Sequence, residues 1–553
     1  MLARRRTPLI TTALALVVAL AMVAAPGAAA KAKGFKYGVT AADVTSSSAI
    51  LWAKADKSGT TFLQLTSKGG FGACDSEHAV ASVKANSKHD NTVQKLVKKL
   101  DSSTDYKYRW CTANGGHSDT GKFTTAPDPN KKQTIRFALA GDQDARPVPG
   151  GTTPYWNNFE VWTRILKQKN DFNVLMGDTI YSDTEVPGYT LADIALTIAQ
   201  KWAAYKINLG MKPWTKARGS AAYYAHWDDH EFINDFSRFE NSFAYGSQGV
   251  TNISGEKLYK DGVQAFTDYN PATYSKKTGL YRSVRWGKNL EIFFLDERSF
   301  RSSSSDYQGT CDNPAGSGNP DLAPTAPQST RNTFSIIAPP LANPPPAACT
   351  ASINDPNRTM LGSKQLQAFE KAIKKSSATF KVIFNEVPIQ QYYALPYDRW
   401  EGYEAERSAL LHYLQANVKN AVFLTTDVHA NLVNDARFNT LGDPPGVQNS
   451  GILDVTSGPV ATESFAGEIN GTLGTPSGGA LIHDLFFKPQ PQAGVGMSCA
   501  AMNQFSYAEV EVSKSQLTID LLDSNDAPVL DTGNAATATP ATPTCGQVVI
   551  PKQ

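Results

Sequence analysis

Ile135-Arg136-Phe137-Ala138-Leu139-Ala140-Gly141-Asp142-Gln143-Asp144 and Phe172-Asn173-Val174-Leu175-Met176-Gly177-Asp178-Thr179-Ile180-Tyr181 share one plan. Each is a short apolar run that ends in glycine and then in acids. Such a run is too short for a helix and reads as a buried strand. Between the two, residues 156–169 carry a helical pattern. Outward from this pair, strands are expected at 290–295, 380–384 and 421–424. Helices are expected at 191–205, 257–269, 364–375 and 404–417. Strands alternating with helices predict an α/β layered catalytic domain over 133–525.

The flanks differ. Residues 36–126 contain period-two runs such as Ala49-Ile50-Leu51-Trp52-Ala53, Thr61-Phe62-Leu63-Gln64-Leu65 and Tyr106-Lys107-Tyr108-Arg109-Trp110. Turn residues separate them and no long helical period appears, so an all-β sandwich is expected. Residues 302–350 are rich in Ser, Pro, Gly and Asn and read as a surface insertion. Residues 526–553 form an Ala/Thr/Pro-rich tail.

The chain has 553 residues, 41% hydrophobic and 19% charged, which excludes global disorder. Net charge is +2, divided as +3 over 1–30, +6 over 31–126 and −7 over the remainder. A mildly acidic body argues against a nucleic-acid-binding domain. Residues 1–30 read as an export signal: Arg4, Arg5 and Arg6, an apolar stretch over 9–25, then Ala28-Ala29-Ala30. The arginines suit either a twin-arginine route or general secretion. A secreted or cell-envelope monomer with no stable membrane span after cleavage is the expectation. Six cysteines in an exported chain suggest disulfides. Six allow 15 pairings, of which proximity favours Cys74–Cys111, Cys311–Cys349 and Cys499–Cys545.

The strand ends carry the chemistry. Besides Asp142 and Asp178 there are Trp227-Asp228-Asp229-His230-Glu231 with Asn234 and Asp235, then Asp296-Glu297-Arg298, then Thr426-Asp427-Val428-His429. In layered α/β domains ligands gather beyond the carboxyl ends of the strands. Singly, a Gly-Asp is a turn, Asp228-Asp229 caps a helix and His429 is a structural histidine. Together they would place many carboxylates in one crevice, where bound cations are the simplest relief of repulsion.

The order of these blocks resembles the PhoD-type alkaline phosphatases of the metallophosphoesterase group. Gly177-Asp178-Thr179-Ile180-Tyr181 is similar to the family's Gly-Asp-x-Ile-Tyr. Trp227-Asp228-Asp229-His230-Glu231 is similar to its Trp-Asp-Asp-His-Glu block, and Leu295-Asp296-Glu297-Arg298 and Asp427-Val428-His429 to two later ones. The resemblance implies an α-β-β-α sandwich behind a fibronectin type III-like domain, and hydrolysis of a phosphate ester by a metal-activated water. It implies Asp178 as a bridging metal ligand, with Asp142, Tyr181, Asp229, Asp427 and His429 as further ligands. It casts His230 as steadying oxygens or protonating the leaving group, and Asn234 as touching metal or phosphate. Arg298 either grips phosphate oxygens or pairs with Asp296. Tyr181 follows Asp178 at a spacing shared with purple acid phosphatases, and a phenolate suits Fe(III). Iron with Ca(II) is therefore implied, with Zn or Mn as the other candidates.

Two departures stand out. Family members often have Ser-Cys-Gln where this chain has Gly141-Asp142-Gln143, and the wider group usually has glycine where this chain has Thr426, so a backbone adjustment is expected there. A phosphodiesterase or phospholipase D-like role on the same metals is the alternative within enzymes. A serine hydrolase lacks its Gly-x-Ser-x-Gly elbow here, and a purely adhesive role leaves the acidic strand ends unused.

Overall fold

The structure is a computed structural model that describes residues 33–245, 248–442 and 448–553. The expected export signal lies outside the described residues.

Two large sheets face each other. The first has nine strands in the order Val548–Pro551, Gln516–Asp523, Ser506–Val512, Ile135–Ala140, Phe172–Met176, Ala222–His226, Phe35–Ala42, Ser48–Ala55 and Thr92–Lys98. The second has seven, in the order Arg282–Trp286, Leu290–Phe294, Phe380–Phe384, Ala421–Thr425, Gln448–Thr456, Asn431–Asn439 and Cys499–Ala501. Side-chain alternation along one strand builds two cores at once. Phe137 and Leu139 point between the sheets, whereas Ala138 and Ala140 point to the helices outside. In the middle layer Phe137 meets Phe384 edge-on at 6.0 Å, and Phe172 lies 4.7 Å from Trp286. Helices Glu160–Gln168, Ile198–Asn208 and Gly255–Tyr269 cover the first sheet, and Ser363–Lys375 and Glu404–Asn417 cover the second. The result is the α-β-β-α sandwich.

The expected helix over 156–169 starts only at Glu160. Asn157 is used instead in the approach, its Oδ1 accepting from the Phe159 amide at 2.7 Å. The expected helix over 191–205 is a 3-10 turn, Leu191–Asp193, followed by Ile198–Asn208, whose start is fixed by a capping box between Thr197 and Gln200.

The N-terminal strands form two facing layers, as expected. Ala81–Ala85, Gly59–Thr66, Asp105–Thr112 and Gly121–Thr124 make one sheet. The opposite layer, however, is continuous with the catalytic sheet: Ala41 and Ala42 pair in parallel with Ala222 and Tyr223. Arg282 Nε donates to Asp43 Oδ1 at 2.9 Å, and Trp52 Nε1 donates to the Asp268 carbonyl at 2.7 Å. Burying this seam ties the β-domain to the strand that carries the Asp228-Asp229 block. The tail also joins the fold, through Val548–Pro551 at the sheet edge.

All three expected disulfides are formed. Cys311–Cys349 closes the 302–350 insertion, within which Arg331 and Asp321 make a buried ion pair at 2.5 Å. Among the described residues no helix is long and apolar enough to cross a membrane.

Candidate metal centre

Four strands of the two sheets end at one crevice, and after three of them, Ile135–Ala140, Phe172–Met176 and Ala421–Thr425, the backbone turns sharply. Asp142, Asp178, Asp427 and His429 all have left-handed φ, of 60°, 43°, 70° and 55°. Non-glycine residues rarely adopt this region, and they concentrate where a site holds them there. Gly177 precedes Asp178 with φ of 75°, and a Cβ on it would stand 2.8 Å from the Asp228 Cβ. Gly141 has no room for a side chain: a Cβ would lie 2.5 Å from the Met176 carbonyl oxygen and 2.6 Å from Thr426 Cγ2. Thr426, where glycine was the expectation, fills that space and donates its hydroxyl to the Met176 carbonyl at 2.6 Å. The expected backbone adjustment falls one residue later, at Asp427.

The residues singled out in the sequence converge. Asp142, Asp178 and His429 offer ligand atoms within 4.8 Å of one another, as do Asp178, Asp229 and His230, and as do Asp228, Asp229 and Asp427. Asp229, Asp235 and Asp398 form a further such group at the rim. Asp178 and Asp229 each belong to more than one group, so the groups are contiguous. None of them draws a residue from 36–126.

Tyr181 lies against this cluster. Its hydroxyl is 2.9 Å from His429 Nε2, and its ring stacks on His230 at 4.1 Å between centroids. His429 Nδ1 is 2.8 Å from Glu468 Oε1, so its two nitrogens face different partners. Asn234 is half-buried, and its main-chain amide donates to Asp183 Oδ2 at 2.8 Å.

Arg298 is fully buried and its guanidinium is occupied. Nε donates to Asp228 Oδ1 at 2.5 Å, and the two Nη atoms reach both oxygens of Asp398 at 2.6 and 2.8 Å. The guanidinium is not paired with Asp296, whose carboxylate takes the Arg298 main-chain amide, the Trp227 indole, the Leu280 amide and Ser299. Asp398 was not legible as a partner, since it lies 100 residues away and follows no apolar strand. Asn385 and Glu386 do follow one, Phe380–Phe384. Both side-chain polar atoms of Asn385 are buried without a partner.

The electrostatics follow from burial. Burial pushes Asp142 up to about 7, with the Asp228 charge adding to the effect and His429 opposing it. Asp228 also reaches about 7, chiefly by burial and against the pull of Arg298. Burial likewise raises Asp178 and Asp427 well above the usual carboxylate range. Against their own burial, Asp183 holds His230 high and Glu468 holds His429 at about 9. Burial also drives the Tyr181 hydroxyl well up. Without cations the site can keep this many carboxylates only by taking up protons.

Cations fit here on structural grounds. Asp142 Oδ2, Asp228 Oδ2 and Asp229 Oδ1 are buried with no hydrogen-bond partner. Buried anionic oxygens left open in this way are costly unless they coordinate metal. The donor set is oxygen-rich with two imidazoles, and it contains no thiolate.

The sequence model of the PhoD-like phosphatases matches residues 151–521, and that of their N-terminal domain matches residues 21–127. The chain belongs to the PhoD-like phosphatase family. Alkaline phosphatase D of Bacillus subtilis (strain 168) is 24% identical over 361 residues, which is 60% of this chain and 52% of that protein. The chain thus matches about half the length of that relative. A solved structure of PhoD superposes with a TM-score of 0.66 at 17% identity, covering 94% of this chain and 91% of that one. Purple acid phosphatase PPD1 from yellow lupin (Lupinus luteus) seeds gives a TM-score of 0.50 at 12% identity, covering 92% and 78%. At these identities both show the shared fold. They bear out the PhoD-like fold that the strand-end blocks implied.

Proposed function

We propose that this PhoD-like phosphatase is an exported, metal-dependent phosphoester hydrolase acting at the strand-end crevice. The observation that carries the reading is the set of contiguous carboxylate and histidine groups, in which three carboxylates each keep a buried oxygen with no hydrogen-bond partner. When bound, the cations would supply Lewis acidity and an activated water as nucleophile.

The chain's own residues divide the work. Asp178, shared by two groups, would bridge neighbouring cations. Asp142, Tyr181 and His429 would hold one side, and Asp229 and Asp427 the other, with Asp228 beside them. A phenolate from Tyr181 and otherwise hard oxygen donors favour Fe(III) with Ca(II) over zinc or manganese. Asp142 in place of the family's frequent cysteine strengthens that preference. His230 would act on the ester oxygens. Arg298, already gripped by Asp228 and Asp398, would balance charge beneath the site rather than bind phosphate. Asn234 keeps a half-buried side chain for contact with substrate or metal. The 36–126 β-domain would support the fold without contributing ligands.

The test uses one phosphomonoester and one phosphodiester, nitrophenyl phosphate and bis(nitrophenyl) phosphate. Hydrolysis should vanish on chelation and return with added metal. The ratio of the two rates separates a phosphatase from a phosphodiesterase. Chelator-resistant hydrolysis, or none of either ester with metal restored, would overturn the reading.

A further inference from the structure

Arg146 stands four residues past Asp142 and is 7% exposed. Its guanidinium lies over the Tyr189 ring, 5.6 Å from the centroid, and Nη1 is buried with no hydrogen-bond partner. Both oxygens of Asp144, the acid nearest in the chain, are engaged, but not by the guanidinium. Oδ1 takes the Arg146 main-chain amide at 3.0 Å and Oδ2 takes the Thr184 hydroxyl. Arg298, Arg301 and Arg331 are also buried, and each holds a carboxylate, at 2.5, 2.8 and 2.5 Å. Among the described residues Arg146 forms no such pair. A buried guanidinium without an anion is costly.

The surroundings of Arg146 form one wall of the crevice. Two loops leave the neighbouring parallel strands Ile135–Ala140 and Phe172–Met176, with Asp142 and Asp178 at their starts. Beyond those acids the loops are stitched together. Thr184 bonds to Asp144, the Tyr189 hydroxyl donates to the Pro147 carbonyl at 3.1 Å, and a Cβ on Gly188 would stand 3.1 Å from Pro149 Cδ. The first loop also closes on itself, the Tyr155 amide donating to the Arg146 carbonyl at 3.0 Å. Arg146 sits in that seam, its Cα at most about 14 Å from that of Asp142. An arginine repels the cations that hold the reacting phosphate, so its place on the wall suits the part of an ester beyond phosphorus. We propose that Arg146 is a specificity-determining residue that binds a second anionic group, a carboxylate or a phosphate, on the leaving alcohol of the ester. This rests on the phosphoester reading above. The carboxylates of the crevice repel such a group, and a cation on the wall offsets that repulsion. The guanidinium fork matches two oxygens of either anion, and the Tyr189 ring beside it limits the orientations the fork can take.

Three esters of one skeleton test this. Glycerol 3-phosphate, 3-phosphoglycerate and glycerol 1,3-bisphosphate share the scissile group and differ at the far carbon, which carries a hydroxyl, a carboxylate or a phosphate. With the metal-loaded holoenzyme, at least one of the two doubly anionic esters should exceed glycerol 3-phosphate in kcat/KM by about 10-fold or more, the scale of a charge-assisted hydrogen bond. Which of them does so tells a carboxylate from a phosphate. Arg146→Met should erase the preference, chiefly by raising KM for the favoured ester. Arg146→Lys keeps the charge without the fork and should retain only part of it. No preference in the wild type, or equal losses on all three esters in both variants, would overturn the proposal, since a merely structural arginine has no reason to sense the far carbon.

A second measurement needs no turnover. Calorimetric titration of the holoenzyme with propylphosphonate, 3-phosphonopropionate and propane-1,3-bisphosphonate, whose P–C bonds are not hydrolysed, reads the same contact at equilibrium. One of the two doubly anionic phosphonates should bind about 10-fold or more tighter than propylphosphonate, and Arg146→Lys should narrow the gap. Equal affinities for all three in the wild type would overturn the proposal. Were the holoenzyme to hydrolyse none of the esters yet bind a doubly anionic phosphonate more tightly through Arg146, the phosphoester reading would fall and the anion site would stand.

Discussion

Replacing Arg298 with methionine should unfold the metal-free protein far more readily than it harms phosphate binding. The guanidinium is fully buried and touches Asp228, itself fully buried, at 2.5 Å, while the Asp398 side chain retains 13% exposure. Despite its burial, Asp398 is held well below the usual carboxylate range by Arg298 and Arg301. Removing one partner of a buried pair costs about 3–5 kcal/mol because the other charge is stranded. Residual hydration of Asp398, and its second partner Arg301, place the loss in the lower half, about 3–4 kcal/mol. That is roughly two to three powers of ten in the folded-to-unfolded ratio. Guanidinium unfolding of the metal-free wild type and Arg298→Met, followed by tryptophan fluorescence, reads it directly. With metal bound the loss should shrink, because a cation near Asp228 supplies the missing positive charge. A metal-free loss below about 1 kcal/mol, together with a raised KM for a phosphoester, would refute the charge-balancing role and return Arg298 to the phosphate.

Three further outcomes are expected. Asp178→Asn and His429→Ala should each abolish hydrolysis while leaving the far-ultraviolet circular dichroism unchanged; near-native turnover would remove that residue from the metal shell. Iron-loaded protein should show a visible charge-transfer band that Tyr181→Phe removes, and a band unchanged in the variant would show that the phenol is not a ligand. Lys201 is buried, with its ammonium on Ser182 Oγ and the Phe232 carbonyl at 2.7 and 2.8 Å, and burial pulls it down to about 7. Between about pH 7 and 10 the unfolded chain then binds a proton that the folded chain does not, so stability from this group rises with pH. Lys201→Met should flatten that rise in melting temperature between pH 7.5 and 9.5; an unaltered pH dependence would show that Lys201 does not titrate there.

Most strands that carry the site were legible as short apolar runs, two of them cut off by Gly-Asp, but Ala222–His226, which carries the Asp228-Asp229 block, was not among the expected strands. Phe172–Met176 and Phe380–Phe384 match the expected strands residue for residue, and Ile135–Ala140 does too. The order of the sheets was not. Ser506–Val512 completes the first sheet beside Ile135–Ala140, a pairing across more than 360 residues that no local pattern announces. The parallel seam between Phe35–Ala42 and Ala222–His226 was hidden for the same reason. At the site, the candidate ligands could be found because they follow strands. Their supporting partners could not: Asp183, Asp398 and Glu468 sit on loops or a helix and acquire their roles only by touching His230, Arg298 and His429. Arg298 was legible as a functional arginine, but which anion it serves depends on Asp398.

The most direct measurement is elemental analysis of metal per chain in purified wild type and in Asp178→Asn, loaded under the same conditions. Because Asp178 belongs to two of the contiguous groups, wild type should retain at least two cations and the variant should lose more than one of them. Wild-type protein that holds no metal, or an Asp178→Asn variant with undiminished metal content, would contradict a metal centre built around Asp178.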